Sequence, residues 1–227
     1  MPVVTLGLSH KSAPIEVRER VVFEPDHLAE ALRALAGNPG VDEAVLLSTC
    51  NRTELYAVID DECPAEALRA WLESAHQLRA GWLAPYTYTH HGEAAVTHLM
   101  EVAAGLDSLV IGEPQILGQT KLAWQTAADA GVVGATLDRL FTHAFSVAKQ
   151  VRTETGIGSH PVSVAFAAVT LARQIFGALK GHTALLIGAG ETIDLAARHL
   201  REQGIGAPDH RQPQRGAGPA ARRRGPR

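Results

Sequence analysis

Two apolar runs, Ala44-Val45-Leu46-Leu47 and Leu55-Tyr56-Ala57-Val58-Ile59, are joined only by Ser48-Thr49-Cys50-Asn51-Arg52-Thr53-Glu54. Runs this short, rich in branched residues, read as buried strands. A joint this short ties them together as neighbours. The chain must therefore build a sheet around them, with a thiol and a guanidinium two residues apart at a strand end. A short polar loop is a poor place to hide a core residue and a good place to present a nucleophile. Arg52 is expected to stabilise the Cys50 thiolate and to hold a substrate carboxylate in its fork.

The flanking sequence supplies the rest of that sheet. Residues 3–8 read as a strand. Residues 26–36 read as a helix opened by Pro25, with Leu28, Leu32 and Leu35 on one face. Strands at 43–48 and 54–60 follow, then a helix at 64–78 begun by Pro64, which turns Ala67, Leu68, Trp71 and Leu72 inward. Tyr86-Thr87-Tyr88-Thr89 reads as a fourth strand. The order β-α-β-β-α-β is the split ferredoxin-like arrangement.

From 92 to about 178 the period becomes helical, in Val96, Leu99, Met100 and Ala103 and again in Leu137, Leu140, Phe141, Ala144, Phe145 and Ala148. An irregular insert, 105–115, separates the two runs, since Gly112 and Pro114 are both disfavoured inside a helix. At 183–187 a short apolar strand runs into Gly188-Ala189-Gly190-Glu191-Thr192 and a helix carrying Leu195, Ala196, Ala197 and Leu200. That is how a dinucleotide-binding domain opens. Ile193 stands where the third glycine of G-x-G-x-x-G would be, which loosens helix–strand packing and leaves the phosphate-facing backbone free. The 45 residues from Thr183 onward are too few to complete such a domain.

The fold expected is thus α/β: an α+β ferredoxin-like domain with added helices over 1–156, then a linking helix and the first β-α unit of an incomplete Rossmann domain over 157–206. Residues 207–227 form a basic Pro/Gly/Arg tail, expected to be disordered. Its six arginines against one aspartate give +5, which leaves −8 on the remainder, 15 basic against 23 acidic residues. Such a tail ordinarily suggests nucleic acid.

No apolar run approaches the roughly 18 residues that span a bilayer, and Met1-Pro2-Val3-Val4-Thr5 lacks the features of a signal peptide. A cytoplasmic protein is expected, and with it two free thiols, Cys50 and Cys63. Cys63, before Pro64 and among acids, carries no catalytic expectation. The histidines are scattered and no metal is expected. His98, between apolar neighbours, is either a satisfied core residue or an acid–base group. Asp107, Ser108, Glu113 and Gln115 either cap the adjacent helices or line a pocket for a small polar substrate.

These segments together resemble the glutamyl-tRNA reductase family, which opens tetrapyrrole (porphyrin, heme) synthesis by the C5 route. The resemblance rests on residues 7–14, 48–56, 105–119, 151–155 and 186–192, and runs from the start of the chain to about Gly204. It implies that Cys50 attacks the ester carbonyl of glutamyl-tRNA(Glu) and forms a thioester, which NADPH reduces to glutamate-1-semialdehyde. It implies that His98 assists, and that Thr49, Asn51, Arg52, Ser108, Glu113, Pro114, Gln115 and Gln119 line the glutamate pocket. It places the NADPH phosphates on Gly188, Ala189, Gly190, Glu191, Thr192 and Ile193. It also implies a homodimer and delivery of the product to glutamate-1-semialdehyde aminomutase.

The departure from the family lies at the C-terminus, where the rest of the NADPH domain and a helical dimerisation domain are expected. A one-base shift in a permitted codon set for 206–215 restores an apolar strand ending in Asn-Arg, so the tail is read as out of frame. Two alternatives stand beside full reduction. One is a product that retains only thioester or esterase chemistry; the other is a tRNA-binding module that uses the arginine tail.

Overall fold

The computed structural model describes residues 3–60, 63–158, 164–188, 190–205 and 209–211. Strands β1 (Val3–Ser9), β2 (Val41–Ser48) and β3 (Arg52–Ile59) are joined by a single turn of helix, α1 (Ile15–Arg18), and by α2 (Leu28–Ala36). Helix α3 (Ala65–Ala75) and strand β4 (Tyr88–His91) complete a four-stranded sheet in the order β2-β3-β1-β4, antiparallel throughout. β3 fills the gap left between β1 and β2 by their helical crossover. This is the split arrangement expected from the order of elements.

The boundaries differ where local hydrogen bonds win. Pro25–His27 forms a 3-10 turn, so α2 begins two residues later than expected. Tyr86 and Thr87 both donate to the Leu83 carbonyl (2.9 and 3.1 Å), which closes a turn. The fourth strand therefore starts at Tyr88, not Tyr86, and places Tyr88 opposite Gly7.

Helix α4 (Glu93–Ala104), the loop 105–114, α5 (Gln115–Asp129) and α6 (Ala135–Glu154) follow. The side chains of Arg52, Glu54 and Tyr56 alternate onto one face of β3. That face meets α4 through His98 and α6 through an edge-to-face contact of Tyr56 with Phe141. Thr53 and its partner Ser48 occupy the opposite face, where Thr53 donates to the Val21 carbonyl and Ser48 accepts from the Phe23 amide. Phe23 stacks there on Trp71 of α3. α6 is fixed to the sheet by Glu43 of β2, which accepts from the amides of Thr136 (3.1 Å) and Leu137 (2.7 Å). A carboxylate at a helix N-terminus is favourable both as a cap and against the helix dipole.

The chain divides into two compact units, 1–162 and 163–227. The second contains α7 (Val164–Phe176), β5 (Leu185–Ile187), α8 (Glu191–Glu202) and β6 (Asp209–Arg211), with β5 and β6 paired in parallel. Its small core is Val169, Leu179, Leu200 and Ile205. β6 lies within the segment expected as a disordered tail; the other residues of 206–227 lie outside the described residues. Among the described residues no helix is long and apolar enough to cross a membrane.

Candidate active site

Cys50 sits exposed in the bend between β2 and β3, a free thiol. Thr49 builds that bend: its hydroxyl accepts from the amides of Asn51 (3.2 Å) and Arg52 (3.1 Å), and its own amide donates to the Arg52 carbonyl (2.8 Å). Arg18 braces the outside, donating to the Cys50 carbonyl (2.7 Å) and to Asn51 Oδ1 (3.0 Å). Arg18, from α1, is thus the cation bonded to the cysteine's own peptide.

Arg52 is turned the other way, inward, and is only 2% exposed. Its Nη1 donates to Glu54 Oε1 (2.7 Å); its Nη2 donates to Asp107 Oδ2 (3.0 Å) and to the Asp107 carbonyl. Lys11 reaches the other oxygen of Asp107. The guanidinium fork is therefore closed on two carboxylates. Burial works against its charge, but Glu54, with further contributions from Tyr88, Tyr56 and Asp107, outweighs it and raises Arg52 above the usual range.

Glu54 is the centre of the cluster. Oε1 accepts from Arg52, from His98 Nε2 (2.8 Å) and from the Tyr88 hydroxyl, and Oε2 accepts from the Tyr56 hydroxyl (2.6 Å). Burial opposes its ionisation, but Arg52, His98 and Tyr56 together hold the carboxyl down to about 2. Burial and the Glu54 charge push both tyrosine hydroxyls up, so they remain donors. An ionised carboxylate only accepts, which puts a proton on His98 Nε2 and makes Nδ1 the nitrogen available to accept when the ring carries that one proton. The His98 ring stacks on His90 (centroids 4.7 Å) and meets Tyr88 edge-on (5.4 Å).

Gly7 makes this meeting possible. It pairs with Glu54 on one side and Tyr88 on the other. A Cβ there would lie 2.5 Å from Glu54 Cγ and 2.9 Å from the Thr53 carbonyl oxygen. Only with that atom missing can Glu54 reach across the middle strand to Tyr88.

The insert 105–114 closes over Arg52. Gly105 ends α4 in the left-handed conformation (φ 80°), and Gly112 donates to its carbonyl (2.8 Å). Arg152 of α6 holds the loop through the Gly112 carbonyl (2.8 Å). Ser108 and Glu113 are buried. The Ser108 hydroxyl lies beside Glu113 without a hydrogen bond of ordinary geometry; burial pushes the Glu113 carboxyl up, opposed by Ser108 and Arg52. Pro114 caps α5, Gln115 is half-buried on its first turn and Gln119 is exposed one turn later. Among the described residues none of these three hydrogen-bonds to the Arg52–Glu54 cluster.

The structure thus brings Arg52, His98, Ser108 and Glu113 together around Glu54 and Asp107, with Thr49 and Asn51 shaping the bend that carries Cys50. Sequence reasoning missed Glu54 and Tyr88 as site residues and left Asp107 open as a cap. The period-two spacing of Arg52, Glu54 and Tyr56 was the available signal for Glu54; nothing local marked Tyr88.

In the second unit Gly188 takes φ +137°, and Gly190 caps α8 with extended backbone. The Ile193 side chain fills the space beside Gly188: a Cβ on that glycine would lie 3.0 Å from Ile193 Cγ1. Thr192 is exposed on the first turn of α8. Ala189 and the side chain of Glu191 lie outside the described residues.

Comparison with known proteins places these features. Residues 6–155 match the model of the glutamyl-tRNA(Glu) reductase N-terminal domain, and residues 170–207 match that of shikimate/quinate 5-dehydrogenase. The chain is 63% identical over 205 residues to a glutamyl-tRNA reductase of Alkalilimnicola ehrlichii, covering 90% of this chain and 46% of the relative. It is 58% identical to that of Stutzerimonas stutzeri, with 90% and 48% covered. Among solved structures, glutamyl-tRNA reductase from Methanopyrus kandleri superposes with a TM-score of 0.65 at 34% identity, over 92% of this chain and 49% of that one. The chain spans about half the length of the curated relatives it matches.

Proposed function

Since the chain belongs to the glutamyl-tRNA reductase family, we propose that it captures the glutamyl group of glutamyl-tRNA(Glu) on Cys50, the first half of the reduction that supplies glutamate-1-semialdehyde to tetrapyrrole synthesis. The observation that carries this reading is an exposed thiol on a bend braced by Thr49 and Arg18, at the strand end from which Arg52 leads into a buried Arg52–Glu54–His98 cluster.

The Cys50 thiol passes its proton to His98 as its sulfur adds to the ester carbonyl, the bond from the acyl carbon to the terminal ribose oxygen breaks, and that oxygen takes the proton as the thioester forms. His98, its Nε2 proton committed to Glu54, accepts and returns that proton through Nδ1. Arg52 receives a substrate carboxylate on the Nη2 edge where Asp107 now sits, so Asp107 acts as a placeholder that yields to the ligand. Ser108 and Glu113 are the adjoining polar groups, one with an unmet hydrogen bond and one inclined by burial to keep its proton. Thr49, Asn51, Pro114, Gln115 and Gln119 shape the remaining wall.

Reduction of the thioester calls for a nicotinamide cofactor, which supplies hydride to the acyl carbon when bound. The residues fit its phosphates: Gly188 holds a positive φ at the strand end, and Gly190 and Thr192 are exposed at the N-terminus of α8. Residues 1–156 constitute the catalytic domain on this reading, and 157–206 the start of the NADPH-binding domain.

The test is to incubate the chain with glutamyl-tRNA(Glu) and trap acyl-protein in acid. Labelled glutamate is expected on the protein, absent in Cys50→Ser and reduced by about 10²-fold or more in His98→Ala. Label retained in Cys50→Ser would defeat the assignment. Adding NADPH and assaying for the semialdehyde reads the second half-reaction separately.

A further inference from the structure

Outside this cluster the first unit has a cavity of about 430 Å³ whose lining includes Phe23, Glu24, Glu30, Trp71 and His76. That volume falls in the range of small-molecule sites, about 300–1,000 Å³. Its wall is aromatic: Phe23 stacks parallel on Trp71 (5.9 Å, 8°) and meets His76 edge-on (4.4 Å, 69°). His76 Nε2 is buried there without a hydrogen-bond partner among the described residues. Burial lowers the pKa of this ring, so the orphan is a neutral imidazole nitrogen. Glu24 and Glu30, both exposed, add carboxylate acceptors at the rim.

Its place in the fold is the informative part. β1 and β2 both end at the Cys50 bend, so α2 leaves from that end of the sheet and α3 returns to it. The start of α2 (His27 to Ala31) and the end of α3 (Ala75, His76) therefore lie at the same end as the thiol. The Phe23 amide donates to Ser48 Oγ (3.0 Å), two residues from Cys50. Ser48 and Thr53 carry the cavity's neighbours on one face, while Arg52, Glu54 and His98 occupy the other. Cys50, at the sheet's end, stands between the two.

An acyl ester attacked at Cys50 has two arms. The glutamyl arm goes to Arg52, and the leaving ribose must depart on the far side of the reacting carbon. Resting on the acyl-capture reading above, we propose that the cavity of Phe23, Trp71 and His76 receives the terminal adenosine of the acyl-tRNA. Single-stranded RNA ends are held in this way, with the base against aromatic rings and its edge hydrogen-bonded. His76 Nε2 and the rim carboxylates meet an adenine better than a uracil, because adenine brings an exocyclic amine and the larger stacking face.

The experiment compares cleavage of 3′-O-glutamyl-adenosine with 3′-O-glutamyl-uridine by the full chain, alongside Trp71→Ala, Trp71→Phe and Cys50→Ser. The wild type is expected to show about a tenfold lower KM for the adenosine ester at similar kcat. Trp71→Ala removes that preference, and Trp71→Phe, which keeps a ring and guards against misfolding, restores most of it. Equal KM values for the two esters in the wild type would overturn the adenosine site and leave acyl capture standing. Cleavage of neither ester in a Cys50-dependent way would overturn both.

Discussion

The sheet domain and the β5–α8 unit both use strands rich in leucine and isoleucine, but to opposite ends. In β2 and β3, Leu46, Leu47 and Leu55 are 1% exposed or less, and even the charges of Arg52 and Glu54 are buried and paired. In β5, Leu185 and Ile187 are 58% and 66% exposed, and the strand has one described partner of three residues. Buried polar groups with all their bonds made, and apolar groups left in water, are opposite signs of how much an element depends on surroundings. The Cys50 bend stands on a scaffold closed around itself. The turn from β5 into α8 stands on one that is open.

Glu54→Gln attacks the closed side hardest. A neutral amide leaves Arg52 buried without its main counter-charge, and the domain is expected to lose about 3–5 kcal/mol in a denaturant titration. A loss of under about 1 kcal/mol would break the contrast drawn above. Acid probes the same pair without mutation. The Glu54 carboxyl titrates at about 2 in the fold against 4.5 ordinarily. Its contribution is complete above pH 4.5 and is lost as pH falls toward 2, amounting to about 3 kcal/mol by linkage. Melting curves across that window should show this slope in the wild type and a flatter one in Glu54→Gln.

Gly7→Ala sharpens the picture at a single atom. The added methyl must displace Glu54 or the β3 backbone, at a cost of about 1–3 kcal/mol, and the acyl-capture rate should fall with it. On the open side Leu185→Lys should change stability by no more than about 0.5 kcal/mol. Its visible effect should instead be weaker self-association in sedimentation, since it places a charge in an exposed apolar strand.

The strand order was legible because each element carried its own period and its own punctuation, from Pro25 and Pro64 to the seven residues between the apolar runs. Cys50 and Arg52 stood out for the same local reason, a reactive type in an unusual setting, whereas His98, between apolar neighbours, was singled out by the family resemblance. Long-range partnership was not legible. Lys11 and Asp107 are 96 residues apart, and Tyr88 meets Glu54 only because Gly7 lies between them in the sheet. Trp71 fitted the inward face of a helix by spacing alone. The structure makes it half-buried, a wall rather than a plug.

Arg52, Glu54 and Tyr56 owe their common direction to the pleat of β3, and a slip of one residue in its pairing would turn all three toward Thr53's side. On the proposed acyl-capture reading, competence is therefore all-or-none for each molecule. A misregistered chain is silent, not slow, and the amplitude of a single-turnover burst counts the correctly paired molecules in a preparation.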